Sequence, residues 1–519
     1  MTQNAQTGGG TSQTRTYVYD MLGRLTSEAN PESGTTTYAY DTDTTCGTSK
    51  GDAVKRTDAV GNVTCFAYDA LHRVTSLTYP SGSYAANTSK KYFVYDGATV
   101  NGVTMSNAAG RLAEAYTCST CPGTKITDLG YSYSARGEVT DTYQKTPHTP
   151  GYVHITATYW ANGVPHTLAG IPGLSRTFTY GVDGEGRPAT ASDSAGTTLV
   201  SSTNYNAASQ VTGLTFGSAD SDAFAYDPNT GRMSAYNYKV GSPIQTVTGS
   251  MNWNANGTLQ ELSITDPFNA GNTQTCDYGY DDLARVSGVN CGSVFAQTFS
   301  FDPFGNVSKS GSFSWLPGYN QSTNRYTLAG TSYDANGNVL NDTINPYTWD
   351  SDGKPHSLGD VTVTGRDALG RSAEFAGGVT NEHVYGPTGE IAMLSAPLNT
   401  NGALYQAYIP LPGGAQAVYD TTGLLFYNHV DWLGTSRLAT TPARAVYFDQ
   451  AYAPYGESYA RNISPSDPPL EFAGLFKHTK GTQTSYFDTP NREYEPIQGR
   501  WISPDPAGLG AVDPSNPQS

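Results

Sequence analysis

Charge is scarce in this sequence. Asp, Glu, Lys and Arg make up only 14% of its residues, against about a quarter in an ordinary domain. What charge there is leans one way, with 45 acidic side chains, 29 basic ones and a net charge of −16. A net-acidic surface repels phosphate backbones, and no basic stripe overrides it, so no nucleic-acid partner is expected. Long apolar runs are missing as well. None approaches the roughly 18 residues of a membrane-spanning helix, so no membrane span is expected. Met1 to Thr16 has no basic stretch followed by an apolar one, so no signal peptide is read there. No helical i, i+3, i+4 stripe stands out. No phosphate loop, Gly-x-Ser-x-Gly elbow or nucleotide fingerprint is present, and the eight His do not cluster at metal spacing. No cofactor, no metal and no external substrate are therefore expected.

What the sequence does have is glycine, tyrosine and threonine. There are 57 Gly and 37 Tyr, and 12% of residues are aromatic, which argues against disorder. Tyr, Thr and Val suit a pleated, half-buried surface; Gly, Asn and Asp suit the turns between strands. One unit recurs. Tyr17-Val18-Tyr19-Asp20 is followed by Gly23-Arg24-Leu25-Thr26, and Phe66-Ala67-Tyr68-Asp69 by His72-Arg73-Val74-Thr75. Two rings alternate on one strand face, Asp starts a turn through its own backbone, Gly supplies a positive φ, and Arg opens the return strand. Looser copies start at Phe93, Tyr131, Phe178, Phe224, Tyr278, Phe299 and Ser332, with Gly-Asn replacing Gly-Arg in the last two. Tyr19 to Tyr40 is 21 residues and Tyr40 to Tyr68 is 28. A period in the twenties predicts an all-β array with one hairpin per repeat, rather than the several compact domains that 519 residues otherwise suggest.

This pattern resembles the YD repeats of the Rhs family and of related toxin-complex and teneurin-type shells, over about residues 17 to 345. The resemblance implies a repetitive β-hairpin sheet that spirals into a hollow shell, here a partial or open one. Repeats fade over 346–420. His429-Val430-Asp431-Trp432-Leu433-Gly434-Thr435-Ser436-Arg437, Tyr452-Ala453-Pro454-Tyr455-Gly456-Glu457, Phe472-Ala473-Gly474 and the run from Arg492 to Leu509 then resemble, in order, the motifs of the Rhs repeat-associated core domain. The expected division is a linker over 1–16 with Gly8-Gly9-Gly10 in it, the repeat sheet over 17–345, degenerate repeats over 346–420, the core segment over 421–509, and the start of a truncated C-terminal region over 510–519.

Core domains of this kind cut their own backbone after Asp-Pro-x-Gly-Leu. The resemblance places that sequence at Asp505 to Leu509 and the scissile bond at Leu509–Gly510. Aspartic-protease-like chemistry needs two carboxylates, one holding a proton while the other activates water. Asp505 is the first candidate. Glu495 is the second, standing where the family commonly has Asp, and Asp513 is another. Arg492 and Arg500 are candidates to orient them. The competing reading is structural, since Asp-Pro and Pro-x-Gly are ordinary turn formers. Within the resemblance, His429 and Asp431 look like fold-defining core residues, with the His bonding a carboxylate or carbonyl to lock a strand crossing. Asp334-Ala335-Asn336-Gly337-Asn338 echoes a calcium loop but reads as a hairpin turn, because no Glu closes it. Six cysteines form three local pairs, Cys46 with Cys65, Cys118 with Cys121 and Cys276 with Cys291; disulfides or free structural thiols are expected.

Three functions are weighed. The first is the shell of a polymorphic-toxin carrier, with a C-terminal toxin as cargo and immunity or secretion-system proteins as further partners. It is secreted or at the cell surface as part of a longer chain. The sequence after Leu509 is too short to be that cargo. The second is a surface adhesion protein stacking carbohydrate on its tyrosines. The third, a stand-alone enzyme, lacks a convergent site. At most an autoproteolytic core is expected.

Overall fold

The computed structural model describes residues 2–4, 12–121, 123–359, 361–377, 379–395, 404–463, 470–480, 484–489 and 492–505. Strands dominate it, and the helical turns are short 3-10 segments such as Ala85–Asn87. Among the described residues no helix is long and apolar enough to cross a membrane.

The repeat chemistry builds the first sheet turn by turn. At the opening repeat, Asp20 Oδ1 accepts the backbone N–H groups of Leu22 and Arg24, both at 2.9 Å. Its Oδ2 accepts Arg24 Nε at 2.7 Å, and Gly23 takes the positive φ of 77° that closes the turn. Arg24 then lies 4.4 Å over the ring of Tyr40 in the next repeat, whose hydroxyl donates to Leu25 O at 2.9 Å. This turn is thus capped by its Asp and roofed by the tyrosine of the following unit. The same set recurs at Asp183, Arg187 and Tyr205 and at Asp367, Arg371 and Tyr385. Gly-Asn repeats use the same geometry with a shorter arm: Asn306 Nδ2 donates to Asp302 at 2.8 Å, and Asn338 Nδ2 to Asp334 at 2.8 Å. The Asp334 segment is therefore a hairpin turn. Register shifts fall at the tyrosine, as at Val18/Tyr19 and Ala67/Tyr68; such bulges bend and twist a strand pair.

Twenty-four strands join in this way, from Thr16–Tyr19 to Val307–Gly311, each antiparallel to the next. A small hairpin, Thr99–Val100 with Val103–Thr104, is set into the run, so Lys90–Tyr95 pairs directly with Leu112–Cys118. Among the described residues no ladder joins the first of these strands to the last. Side chains bring the two ends together instead. Asn324 Nδ2 donates to Glu32 at 2.7 Å, Arg325 to Glu32 O at 3.0 Å, and Asn336 Nδ2 to Asp58 at 2.8 Å.

A second sheet of 12 strands runs from Tyr347–Trp349 to Ser458–Ile463. One of its faces packs on the first sheet. Ile155, Phe178 and Leu214 share a core with Met393, Ile409 and Tyr419, and Tyr236, Tyr238 and Val247 share one with Leu438. Its other face, with Tyr408, Val418, Phe426 and Phe448, meets Leu470 and Phe476. The second sheet also follows the first in chain order. Asp352 meets Tyr79 and Lys91, His383 O meets Gln144, Tyr419 meets Asp193, and Glu457 meets Lys309. At about 4.8 Å per strand, 24 strands rolled end to end give a circumference of roughly 115 Å and a diameter of about 37 Å. A layer about 10 Å further in holds roughly 11 upright strands, close to the 12 found. Along this span the first sheet is covered on one face by a second layer of the same chain.

Two expected boundaries need correction. The segment 1–16 is not only linker: Thr2–Asn4 pairs antiparallel with Ser12–Thr14, and buried Gln13 donates to Gln321 O at 2.8 Å and to Asn324 at 2.7 Å. A polar Thr/Gln strand is anchored there by its amide side chain. Nor does the sheet break at 420. Gln416–Asp420 pairs with Gly423–Val430 across a turn that Asp420 caps through Thr422 N at 2.7 Å. At Asp420 the Arg and the roofing tyrosine are missing while the Asp cap stays, whereas Asp367, Arg371 and Tyr385 within 346–420 keep the full set. The six cysteines form three disulfides, Cys46–Cys65, Cys118–Cys121 and Cys276–Cys291, all in the first-sheet region.

Candidate functional site at the C-terminal seal

The last described strands form a third sheet of Phe476–Lys480, Thr484–Asp488, Glu493–Glu495 and Arg500–Trp501, all antiparallel. It delivers Arg492, Arg500 and Asp505 to the seam where the first repeats meet residues 319–341. These three line a 330 Å³ cavity together with Arg15, Glu32 and Arg325. Arg492 Nη2 pairs with Asp505 Oδ2 at 2.7 Å and stacks 4.2 Å over Trp501. Burial pushes the Arg492 guanidinium below its usual range, and Asp505 opposes that shift. Arg500 lies 4.8 Å over Tyr326 and donates to Asn324 O at 3.3 Å. Four guanidinium groups against two carboxylates make this an electropositive pocket in an acidic chain.

Glu495 is placed differently. It does not line that cavity. It is 1% exposed, its carboxylate accepts the backbone N–H of Gln498, and its Oε1 has no partner. Burial pushes the carboxyl up to about 8, eased by the Gln498 N–H and by Lys309, so Glu495 is largely protonated at neutral pH. Around it, Lys309 Nζ donates to Glu457 and to Pro496 O, both at 2.6 Å. Gln498 bridges Tyr326 at 2.8 Å and Asp342 at 2.5 Å. The structure therefore brings Asp505, Arg492 and Arg500 to one cavity and puts Glu495 in a polar network of its own. Leu509, Gly510 and Asp513 lie outside the described residues. Sequence reasoning did not find Lys309, although a lysine amid the small polar residues of a strand is a signal of sorts.

His429 is fully buried, with Nδ1 at 2.7 Å from Asp222 and Nε2 at 2.9 Å from Thr440 Oγ1. It ties the second sheet to the first. Asp431 caps a turn through Leu433 N and Thr435 N at 2.9 and 3.0 Å. The repeat tyrosines are engaged in roofing turns, so their number by itself gives no support to sugar stacking.

Comparison with known proteins bears on the repeat and on the fold. The RHS Repeat family matches residues 48–84, the span that holds the second Tyr-Asp turn. This chain carries an RHS repeat. The chain superposes on the crystal structure of TcdB2-TccC3-TEV with a TM-score of 0.73 at 15% identity, covering 95% of this chain and 27% of that one. A mutant Photorhabdus luminescens Tc holotoxin pore gives 0.72 at 15% identity, with 98% and 29% covered. TcdB2-TccC3 gives 0.69 at 14% identity, with 98% and 30% covered. The chain thus spans less than a third of the solved chains it resembles. No curated protein matches it.

Proposed function

We propose that this Rhs/YD-repeat chain is the shell portion of a toxin carrier, delivered outside the producing cell as part of a longer protein, and that its C-terminal segment cuts itself after Leu509. The observation that carries the reading is the Arg492–Asp505 ion pair. It holds the first residue of the Asp-Pro-Ala-Gly-Leu run at the seam where the first repeats meet residues 319–341. Cleavage requires one carboxyl that keeps its proton and one that does not. Glu495 supplies a protonated acid, and Asp505, paired to arginine, supplies the base.

The chain with a C-terminal tag tests this. The expected result is loss of the tag, with a new C-terminus at Leu509 by intact mass, and retention of the tag in Asp505→Ala and Glu495→Gln. A tag retained in the parent chain removes self-cleavage. The carrier role is tested separately, by fusing a protease-sensitive domain after Ser519 and measuring its protection. Digestion at the rate of the free domain removes encapsulation.

A further inference from the structure

Two buried carboxylates face each other between the sheets, away from the seal. Glu374 on Ser372–Gly377 and Glu382 on Val379–Tyr385 are direct register partners, 0% and 3% exposed. Like charges opposed on neighbouring strands repel, and burial of an unpaired carboxylate is costly. Among the described residues no lysine or arginine pairs with either. The group that does reach them is His148, from the loop after the first-sheet strand Val139–Lys145. Its Nδ1 contacts Glu374 Oε2 and lies 3.8 Å from Glu382 Oε1, while its backbone N–H donates to Glu382 Oε1 at 2.6 Å. Glu374 Oε1 has no hydrogen-bond partner at all. One imidazole nitrogen and two carboxylate oxygens lie within 4.8 Å of one another.

We propose that His148, Glu374 and Glu382 form a site for a divalent transition-metal ion, with zinc as the reference case, that clips the first sheet to the second. A doubly charged ion balances the two carboxylates. It also gives Glu374 Oε1 the partner it lacks. A mixed imidazole and carboxylate set favours zinc and its neighbours over calcium or magnesium, which take oxygen ligands. The His148 side chain is 45% exposed, which leaves a path for entry and an open side where water completes the coordination. The three ligands are separated by 226 and 8 positions in the chain, so no sequence motif announces them.

The test uses the full chain, stripped with a chelator and titrated with zinc, manganese or calcium. The readouts are metal content, calorimetry and the thermal midpoint. The expected result is one zinc per chain with a raised midpoint, and calcium weaker by about tenfold or more. His148→Ala changes an exposed side chain and is expected to fold normally while weakening zinc by about tenfold or more. Glu374→Gln and Glu382→Gln are expected to abolish both uptake and midpoint shift, while the metal-free midpoint holds or rises as the repulsion is removed. Equal zinc uptake by the parent and His148→Ala overturns the site. So does calcium binding as tightly as zinc. If a glutamate variant fails to fold, the His148→Ala comparison alone decides.

Discussion

The two large sheets are made from one chain and solve different problems. The first sheet has water on one face. Its strands alternate, as in Val153–Tyr159 where Val153, Ile155 and Ala157 are buried, and its turns carry half-exposed Asp–Arg pairs. The second sheet has protein on both faces, and all five residues of Ser436–Thr440 are buried. Its charged groups are few and deeply set. Arg437 is 3% exposed and pairs with Asp266 of the first-sheet region at 2.9 Å and with Asp449 at 2.5 Å. The contrast shows where ion pairs matter. An exposed pair repeated around a wall gives each turn its geometry. A buried pair holds one wall to the other and leaves an uncompensated charge when cut.

The largest effect expected from breaking this contrast is at Arg437. Arg437→Ala strands two buried carboxylates, and a loss of about 3–5 kcal/mol is expected, read by denaturant unfolding or as failure of soluble expression. Reduction acts on the other sheet. The Cys46–Cys65 and Cys276–Cys291 bridges close loops of 19 and 15 residues, each worth about 3 kcal/mol in a chain-entropy account. Hydrogen exchange under reductant is expected to rise across the first sheet before the second. A third effect is pH-dependent. The Glu495 carboxyl titrates near 4.3 when unfolded and at about 8 when folded. Protonated Glu495 therefore favours the folded state, and its contribution is lost as pH rises from about 4.3 to about 8. The slope is up to about 1.4 kcal/mol per pH unit, and Glu495→Gln is expected to flatten it in a series of melts. The smallest effect is Arg73→Ala in the outer wall. Its partners Asp69 and Asp96 sit at the solvent surface, and little or no midpoint shift is expected. A large loss there would erase the distinction between the walls.

The first sheet is legible because everything that makes it is local. Asp20, Gly23 and Arg24 lie within five positions, and the roofing Tyr40 is one repeat away. The second sheet is less so. Once both faces are buried, alternation disappears, and Phe426-Tyr427-Asn428-His429-Val430 carries no period to read. His429 could be assigned a carboxylate partner from its motif, but not Asp222, which lies 207 positions upstream. The same distance hid the nesting of the sheets and the His148 cluster. At the seal, Arg492 and Asp505 stand out in the sequence and do meet. Glu495 stands out equally, yet burial beside Lys309 places it outside their cavity, and burial is a property of the assembled molecule.

Because the inner layer docks in the same order as the outer layer, synthesis and assembly run in step. A nascent chain that has emerged only as far as residue 311 already holds the complete outer ribbon, with Phe178, Leu214 and Tyr238 bare on its concave side. Each later strand then finds its seat already built, beside the partner made some two hundred residues before. Premature termination near position 345 would leave Phe178, Leu214 and Tyr238 without the second-sheet residues they pack against, an apolar face open to self-association.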